Sequence, residues 1–166
     1  MTRAPELSAF YQGWAEQQDN LLASIRPLSM EQMQLRPAPG EYAIWQLASN
    51  MAGGRLYWLC GMLGEDDRGL WKLFESGGWE DDTDHPRSAE ELEDAFHKTW
   101  EVVESCINRW QASDLYVEVT RTDAFGKVRK ITPAWVLWRL MAHEVHHGAE
   151  ISTILRINGL PTQMNR

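Results

Sequence analysis

The sequence predicts an all-α protein, a four-helix bundle with one long crossover connection and a small β-hairpin inserted before the last helix. Three observations predict this fold. Four long segments repeat apolar residues at steps of three and four, the spacing of one helical face. The polar, acidic stretch 64–87 is long enough to cross a bundle. Residues 116–131 alternate apolar and polar side chains around a turn, as a hairpin does.

The length and composition fit a single domain that spans residues 1–166. Of the 166 residues, 43% are apolar and nine are Trp, which is enough to build one core. Lys and Arg number 16 against 24 Asp and Glu, so the net charge is -8. A surface this acidic repels phosphate backbones, and we expect no nucleic-acid partner. No apolar run approaches the roughly 20 residues of a membrane span, so we expect no membrane partner.

The start of the chain and its cysteines indicate a cytoplasmic protein. The opening MTRAPELSAFYQ lacks the charged and then apolar layout of a secretion signal. Cys60 and Cys106 have neither CxxC spacing nor the density of a disulfide scaffold. We therefore expect a reducing compartment and two ordinary core thiols.

The first helix is predicted from about Glu6 to Ile25. Its apolar residues fall near one face, and Pro27 lies just past its end, where a helix tolerates proline. Ser29 is followed three residues later by Gln32, the spacing of a capping box. We expect one short helical turn there, before a loop that contains two prolines.

The second helix is predicted from about Tyr42 to Leu63. Gly53 and Gly54 lie inside it, and each costs about 1 kcal/mol of helix stability relative to Ala. Such a pair indicates close approach by a neighbouring helix or by a ligand. The polar connection that follows could contain a short helix around Trp71–Phe74.

The third helix is predicted to begin after Ser88, which forms a capping box with Glu91, and to end near Gln111. In the hairpin that follows, the turn lies at 123–126. The apolar positions of its two strands are Val117 and Val119, with Tyr116 as a further candidate, then Val128 and Ile131.

The fourth helix is predicted from Thr132, the cap, to about Ile157. Pro133 occupies the first helical position, where the missing N–H costs nothing. Asn158 and Gly159 provide the stop signal at the other end.

This last helix carries His143 and His147, four residues apart. That spacing stacks two imidazoles on one helical face, within reach of one cation. The segment HEVHH also matches the HExxH pattern of zinc proteases. Glu144 could then be a base, a group that supports a metal ligand, or a solvated side chain. A structural histidine face remains an alternative. For His146, exposure to solvent or a hydrogen bond to Glu150 is favoured over metal ligation.

Several segments together resemble the DinB/YfiT-like superfamily of metal-dependent enzymes. They are PAPGEYAIWQL at the start of the second helix, the long third helix, the hairpin, and HEVHHGAEI on the last helix. The resemblance covers nearly the full chain. It implies an antiparallel four-helix bundle, often dimeric, with a metal held by one histidine of the second helix and two of the last.

The resemblance transfers two of the three metal ligands directly, to His143 and His147. The position of the third histidine falls on Asn50, whose carbonyl oxygen is a weaker ligand than imidazole for Zn²⁺ or Ni²⁺, the two metals we expect. Asn50 could complete a weakened site, Glu150 or water could replace it, or the metal could be lost. Arg55, if it points inward, would oppose a divalent cation or hold an anionic ligand.

The function implied by the resemblance is a divalent-metal-dependent enzyme acting on a small-molecule substrate. Characterised relatives include S-transferases for low-molecular-weight thiols such as bacillithiol or mycothiol, and a related hydrolase is possible. The alternative is a non-enzymatic protein that binds a small ligand, or a stress-related dimer, with a degenerate metal site. The resemblance also implies a homodimer.

Overall fold

A computed structural model describes residues 7–66, 68–70, 79 and 84–164. This part of the chain is mostly helical and contains a two-stranded antiparallel sheet. Its α-helices are α1 Leu7–Phe10, α2 Gln12–Ile25, α3 Met30–Met33, α4 Ile44–Leu56, α5 Ala89–Arg109 and α6 Pro133–Ile157. The short helix expected around Trp71–Phe74 lies outside the described residues.

The predicted first helix is interrupted. Tyr11, with φ -96° and ψ 13°, separates α1 from α2, so one continuous helix from Glu6 to Ile25 was wrong. Gly13 lies in the first turn of α2, and glycine favours the helix least of all residues except proline. The apolar face of α2 is nevertheless buried as expected, because Trp14, Leu21 and Ile25 enter the core.

The second helix begins two residues later than predicted and changes its winding. Ala43 is extended and caps α4, while Gln46 accepts a hydrogen bond from the Ala43 amide at 2.8 Å. After Leu56 the chain continues as a π-helical segment, Tyr57–Met62. The neighbouring rings of Tyr57 and Trp58 meet edge to face with centroids 5.2 Å apart. A π-helix is rare and is frequently found near functional sites.

The caps predicted for three helices are confirmed. In α3 and α5, the Ser29 and Ser88 hydroxyls accept hydrogen bonds from the amides three residues on, and Gln32 and Glu91 accept from the cap amides in return. Thr132 accepts a hydrogen bond from the Trp135 amide at the start of α6. Each bond satisfies an amide that the helix itself leaves without a partner.

The hairpin is also confirmed. Strands β1 (Val119–Thr122) and β2 (Val128–Ile131) pair antiparallel, with Val119 opposite Ile131. Asp123 holds the turn, accepting hydrogen bonds from the amides of Phe125 and Lys127. Tyr116 and Val117, expected in the first strand, precede it instead, and Tyr116 ends a 3-10 turn.

One apolar core joins α2, α4, α5 and α6. Its largest fully buried apolar side chains are Trp45, Phe96, Leu21, Leu22, Ile25, Met33, Ile44, Met51, Leu56, Leu59 and Leu92. The connection between α4 and α5 and the hairpin before α6 occupy the places in the chain order that the sequence predicts. In the described part of the chain, no helix is both long and apolar enough to cross a bilayer.

Candidate metal centre

Two imidazoles of α6 meet edge to face. The ring centroids of His143 and His147 are 4.4 Å apart, and their Nε2 atoms lie 3.0 Å from each other. Both side chains are half-buried. Two nitrogens bound to one cation at about 2.0–2.1 Å lie roughly 3 Å apart when the angle between them is near a right angle. The four-residue spacing has therefore brought together two donors that fit one divalent ion.

Glu150 contacts the other nitrogen of His147. The Nδ1 atom of His147 is 2.6 Å from the Oε2 atom of Glu150. A carboxylate accepts hydrogen bonds, so Nδ1 carries the proton and Nε2 of the neutral ring offers its lone pair toward His143. Carboxylates commonly orient metal-binding histidines in this way. Glu150 is therefore placed to orient His147 rather than to act as a third ligand on the His143 side.

His143 is held in its neutral form. Burial, with smaller contributions from the neighbouring bases His147, Arg139 and His146, lowers the pKa of His143 to about 3. A neutral imidazole is the form that binds a metal. Burial is thus the main factor that makes His143 ready to bind a metal, whereas for His147 it is the hydrogen bond to Glu150.

The second helix approaches the ring of His143 at a glycine. A Cβ atom built on Gly54 would lie 3.5 Å from Cε1 of His143, so the ring packs against the bare backbone of α4. The expectation of a close approach at this glycine is confirmed. Asn50 lies one turn earlier on α4, is half-buried, and has interactions of its own. Since residues four apart share a helical face, Asn50 is on the face that α4 turns toward α6.

His146 belongs to a second, more exposed group. Its side chain is 69% exposed, and its Nε2 atom is 3.6 Å from Oε1 of Glu150, beyond hydrogen-bond distance. His146, His147 and Glu150 could together offer ligand atoms within 4.8 Å of one another. His147 is thus shared between two possible donor sets, of which only the pair with His143 faces α4.

Glu144 is engaged in a buried ion pair with Arg55. The Nε and NH2 atoms of Arg55 donate to the two carboxylate oxygens of Glu144 at 2.7 and 2.8 Å. Trp14 donates a further hydrogen bond to Glu144 at 2.7 Å. Because both oxygens are occupied and the side chain is 2% exposed, Glu144 cannot serve as the base of a zinc protease.

Arg55 points inward, where its charge is already balanced. Besides Glu144, it donates to Gln18 at 2.6 Å and lies over the Phe96 and Trp100 rings at 5.0 and 5.3 Å. The idea that Arg55 receives an anionic ligand is therefore wrong. The sequence could not predict that Arg55 pairs with Glu144, because the two residues are 89 positions apart along the chain.

The two cysteines form no disulfide. Burial, together with the charge of Glu65, raises the pKa of Cys106 to about 12. Cys106 also lines a cavity of about 410 Å³ beside Arg109, at the far end of α5. A thiol with so high a pKa is inert at neutral pH, in agreement with the expectation of a core residue.

Comparison with known proteins shows the family to which the chain belongs. Residues 14–151 match the sequence model of the DinB superfamily. The crystal structure of a DinB-like protein from Bacillus cereus ATCC 10987 has a TM-score of 0.70 at 22% identity, covering 92% of this chain and 93% of that one. For a DinB-like protein of Bacillus subtilis, YjoA, the TM-score is 0.61 at 16% identity, with 96% and 98% covered. A search among curated proteins found no match. Since the family model spans most of its length, the chain belongs to the DinB superfamily.

Proposed function

We propose that this protein is a divalent-metal-dependent enzyme acting on a small-molecule substrate. His143, His147 and Asn50 would hold the metal, which we expect to be Zn²⁺ or Ni²⁺. The observation that carries the proposal is the 3.0 Å separation of the two Nε2 atoms, with Glu150 on the opposite nitrogen of His147. Family membership supports it, because the sequence resemblance implies that these two histidines are the family's metal-binding pair.

The residues of this chain each have a separate task in the proposed site. Glu150 fixes the tautomer of His147, and burial keeps His143 neutral. Gly54 leaves room for the His143 ring against α4, and the Asn50 amide oxygen supplies a harder third donor than imidazole. When bound, the cation would lower the pKa of a coordinated thiol or water.

The substrate class follows from the family resemblance. We infer transfer of a low-molecular-weight thiol to an electrophile, or a related hydrolysis, in a cytoplasmic homodimer. The finer architecture that goes with this inference is an antiparallel four-helix bundle with a crossover between its second and third helices. Gly54 contacts His143, and Trp58, four residues later, contacts Trp135, eight residues earlier. This order of contacts supports an antiparallel arrangement of α4 and α6.

The second candidate is a non-enzymatic protein with a degenerate metal site, serving as a small-ligand-binding or stress-related dimer. Asn50 favours this alternative, because an amide oxygen in place of an imidazole weakens the affinity for Zn²⁺ or Ni²⁺. Arg55 no longer supports it, since Glu144 neutralises the guanidinium.

Metal content separates the two candidates. Protein purified without chelators is expected to contain about one divalent ion per chain, measured by elemental analysis. His143→Ala should lose this ion because it removes one of the two converging donors. His146→Ala is the matched control, an exposed histidine of the same helix, and should retain the ion.

The Asn50→His variant decides the remaining case. If the wild type is empty and Asn50→His gains an ion, the degenerate site is correct and the enzyme proposal fails. Metal that survives His143→Ala but not His146→Ala would instead assign the ion to the exposed group of His146, His147 and Glu150. A thiol-transfer assay of the metal-loaded and chelator-treated protein then tests the activity.

A further inference from the structure

Arg139 lies one helical turn before His143 on α6. Trp135, Arg139, His143 and His147 follow one another at four-residue steps, so they lie about 6 Å apart along one side of the helix. Two members of this row, one on each side of Arg139, contact α4 or the π-helical segment that follows it. The Trp135 ring meets Trp58 at 5.1 Å, and the His143 ring packs on Gly54. Along α6, Arg139 therefore lies between the Trp58–Trp135 pair and the proposed metal centre.

Among the residues that the structure describes, the guanidinium of Arg139 contacts no carboxylate. It is half-buried, and within the part of the chain that the structure describes it makes neither a hydrogen bond nor an ion pair. The helix α4 and the π-helical segment contain no Asp or Glu. The two acids of α6, Glu144 and Glu150, are engaged by Arg55 and His147. No nitrogen of Arg139 is among the buried polar atoms that lack a partner in the described part of the chain, so its guanidinium reaches solvent and is accessible to a ligand.

The same region is positively biased. Arg139, His143, His146 and His147 are all basic residues and lie within nine consecutive positions of α6. A fixed positive charge beside a metal centre weakens cation binding unless an anion compensates it. A ligand that brings a negative group to Arg139 would remove that repulsion and strengthen its own binding together with that of the metal.

We propose that Arg139 binds the carboxylate of the small molecule on which the metal centre acts. That the metal centre binds the reacting end of this molecule rests on the proposed function. That the molecule carries an anionic group rests on Arg139. The planar guanidinium matches a carboxylate through two parallel hydrogen bonds. The substrate class is therefore a thiol whose carboxylate lies a few bonds from its sulfur, since Arg139 and His143 are one helical turn apart.

Two probes that differ only in this group test the inference. Calorimetry would compare 3-mercaptopropionate with 3-mercaptopropan-1-ol on the Zn²⁺-loaded and on the chelator-treated protein. The wild type should bind the carboxylate probe about tenfold more tightly than the alcohol, because a charge-assisted pair replaces a neutral one. Arg139→Gln should abolish the preference. Arg156→Gln, at an exposed arginine near the end of the same helix, is the matched control and should keep it.

The outcomes distinguish this inference from the proposed function. Equal affinity of the wild type for both probes, or a preference that survives Arg139→Gln, would overturn the role of Arg139 even if Zn²⁺ binds. A preference that depends on Arg139 in a protein that binds no Zn²⁺ would support the carboxylate site and reject the metal-dependent enzyme. Loss of the preference in Arg156→Gln as well would point to general charge and overturn the inference.

Discussion

His143 shows how one residue acquires a function that its sequence position only suggests. Its four-residue spacing from His147 was enough to predict that the two rings share a face. Its neutrality was not predictable, because the lowered pKa comes from burial against α4 and from bases on its own helix. The spacing is a property of the helix, whereas the pKa is a property of the environment.

The lowered pKa of His143 predicts a loss of stability in acid. Between its unfolded value of 6.5 and its folded value of about 3, the unfolded chain binds a proton that the folded chain does not. The free energy of unfolding should therefore fall as the pH falls through this window, by up to about 1.4 kcal/mol per pH unit for this one group.

Urea denaturation of chelator-treated protein at several pH values between 3 and 7 would measure this dependence. Wild type is compared with His143→Gln, which cannot take up the proton. The wild type should lose stability more steeply than the variant in this range. Parallel curves for the two proteins would show that His143 titrates normally in the folded state.

At the scale of elements, α4 combines regular capping with two features that matter for the site. The Gln46 interaction that begins the helix is local, and so are the capping boxes of α3 and α5, which is why sequence spacing predicts such caps. The π-helical end at Tyr57–Met62 was not predicted, because the apolar pattern of this segment fits an α-helix equally well.

Substitutions of Gly54 distinguish its effect on helix stability from its effect on metal affinity. Gly54→Ala places its Cβ at an ordinary contact distance from His143, so it should raise the free energy of unfolding by about 0.5–1 kcal/mol and keep the metal. Gly54→Val adds two methyl groups toward the ring and should displace His143, lowering the metal affinity.

Thermal denaturation and metal titration of both Gly54 variants test this. Gly148→Ala is a useful comparison on α6, because its Cβ would lie 2.5 Å from Cε of Met164 and that side chain must move. We expect it to gain less stability than Gly54→Ala. A metal affinity that is unchanged in Gly54→Val would remove this glycine from the site.

At the scale of the whole molecule, the Arg55–Glu144 pair connects four helices. Trp14 and Gln18 of α2 and Thr99 of α5 hydrogen-bond to the pair, which itself joins α4 to α6. Arg55 follows Gly54, and Glu144 follows His143, so the ion pair lies immediately beside the contact that brings α4 to the proposed metal centre. Its bidentate geometry restricts how the two helices can slide past each other.

Breaking this pair should be far more costly than breaking a surface pair. Arg55→Met is expected to lower the free energy of unfolding by about 3–5 kcal/mol, because Glu144 is left as a buried charge without its partner. Arg55→Met combined with Glu144→Leu should recover part of that loss. Arg26→Met, which breaks an exposed pair with Glu93, should cost less than about 1 kcal/mol.

Chemical denaturation of the three variants gives these values. Equal effects of Arg55→Met and Arg26→Met would contradict the central role of the buried pair. If Arg55→Met proves too unstable to purify, the comparison of the double variant with Arg26→Met still decides the question.

The sequence by itself determined the caps of α3, α5 and α6, the hairpin and the stacking of His143 with His147, because each depends on residues close together along the chain. Only the tertiary structure decided that Glu144 and Arg55 neutralise each other, that His143 packs on Gly54, and that Arg139 makes no ion pair with any residue that the structure describes. These features depend on burial and on partners from distant helices. Charge balance in the interior is a property of the assembled core, which no local spacing encodes.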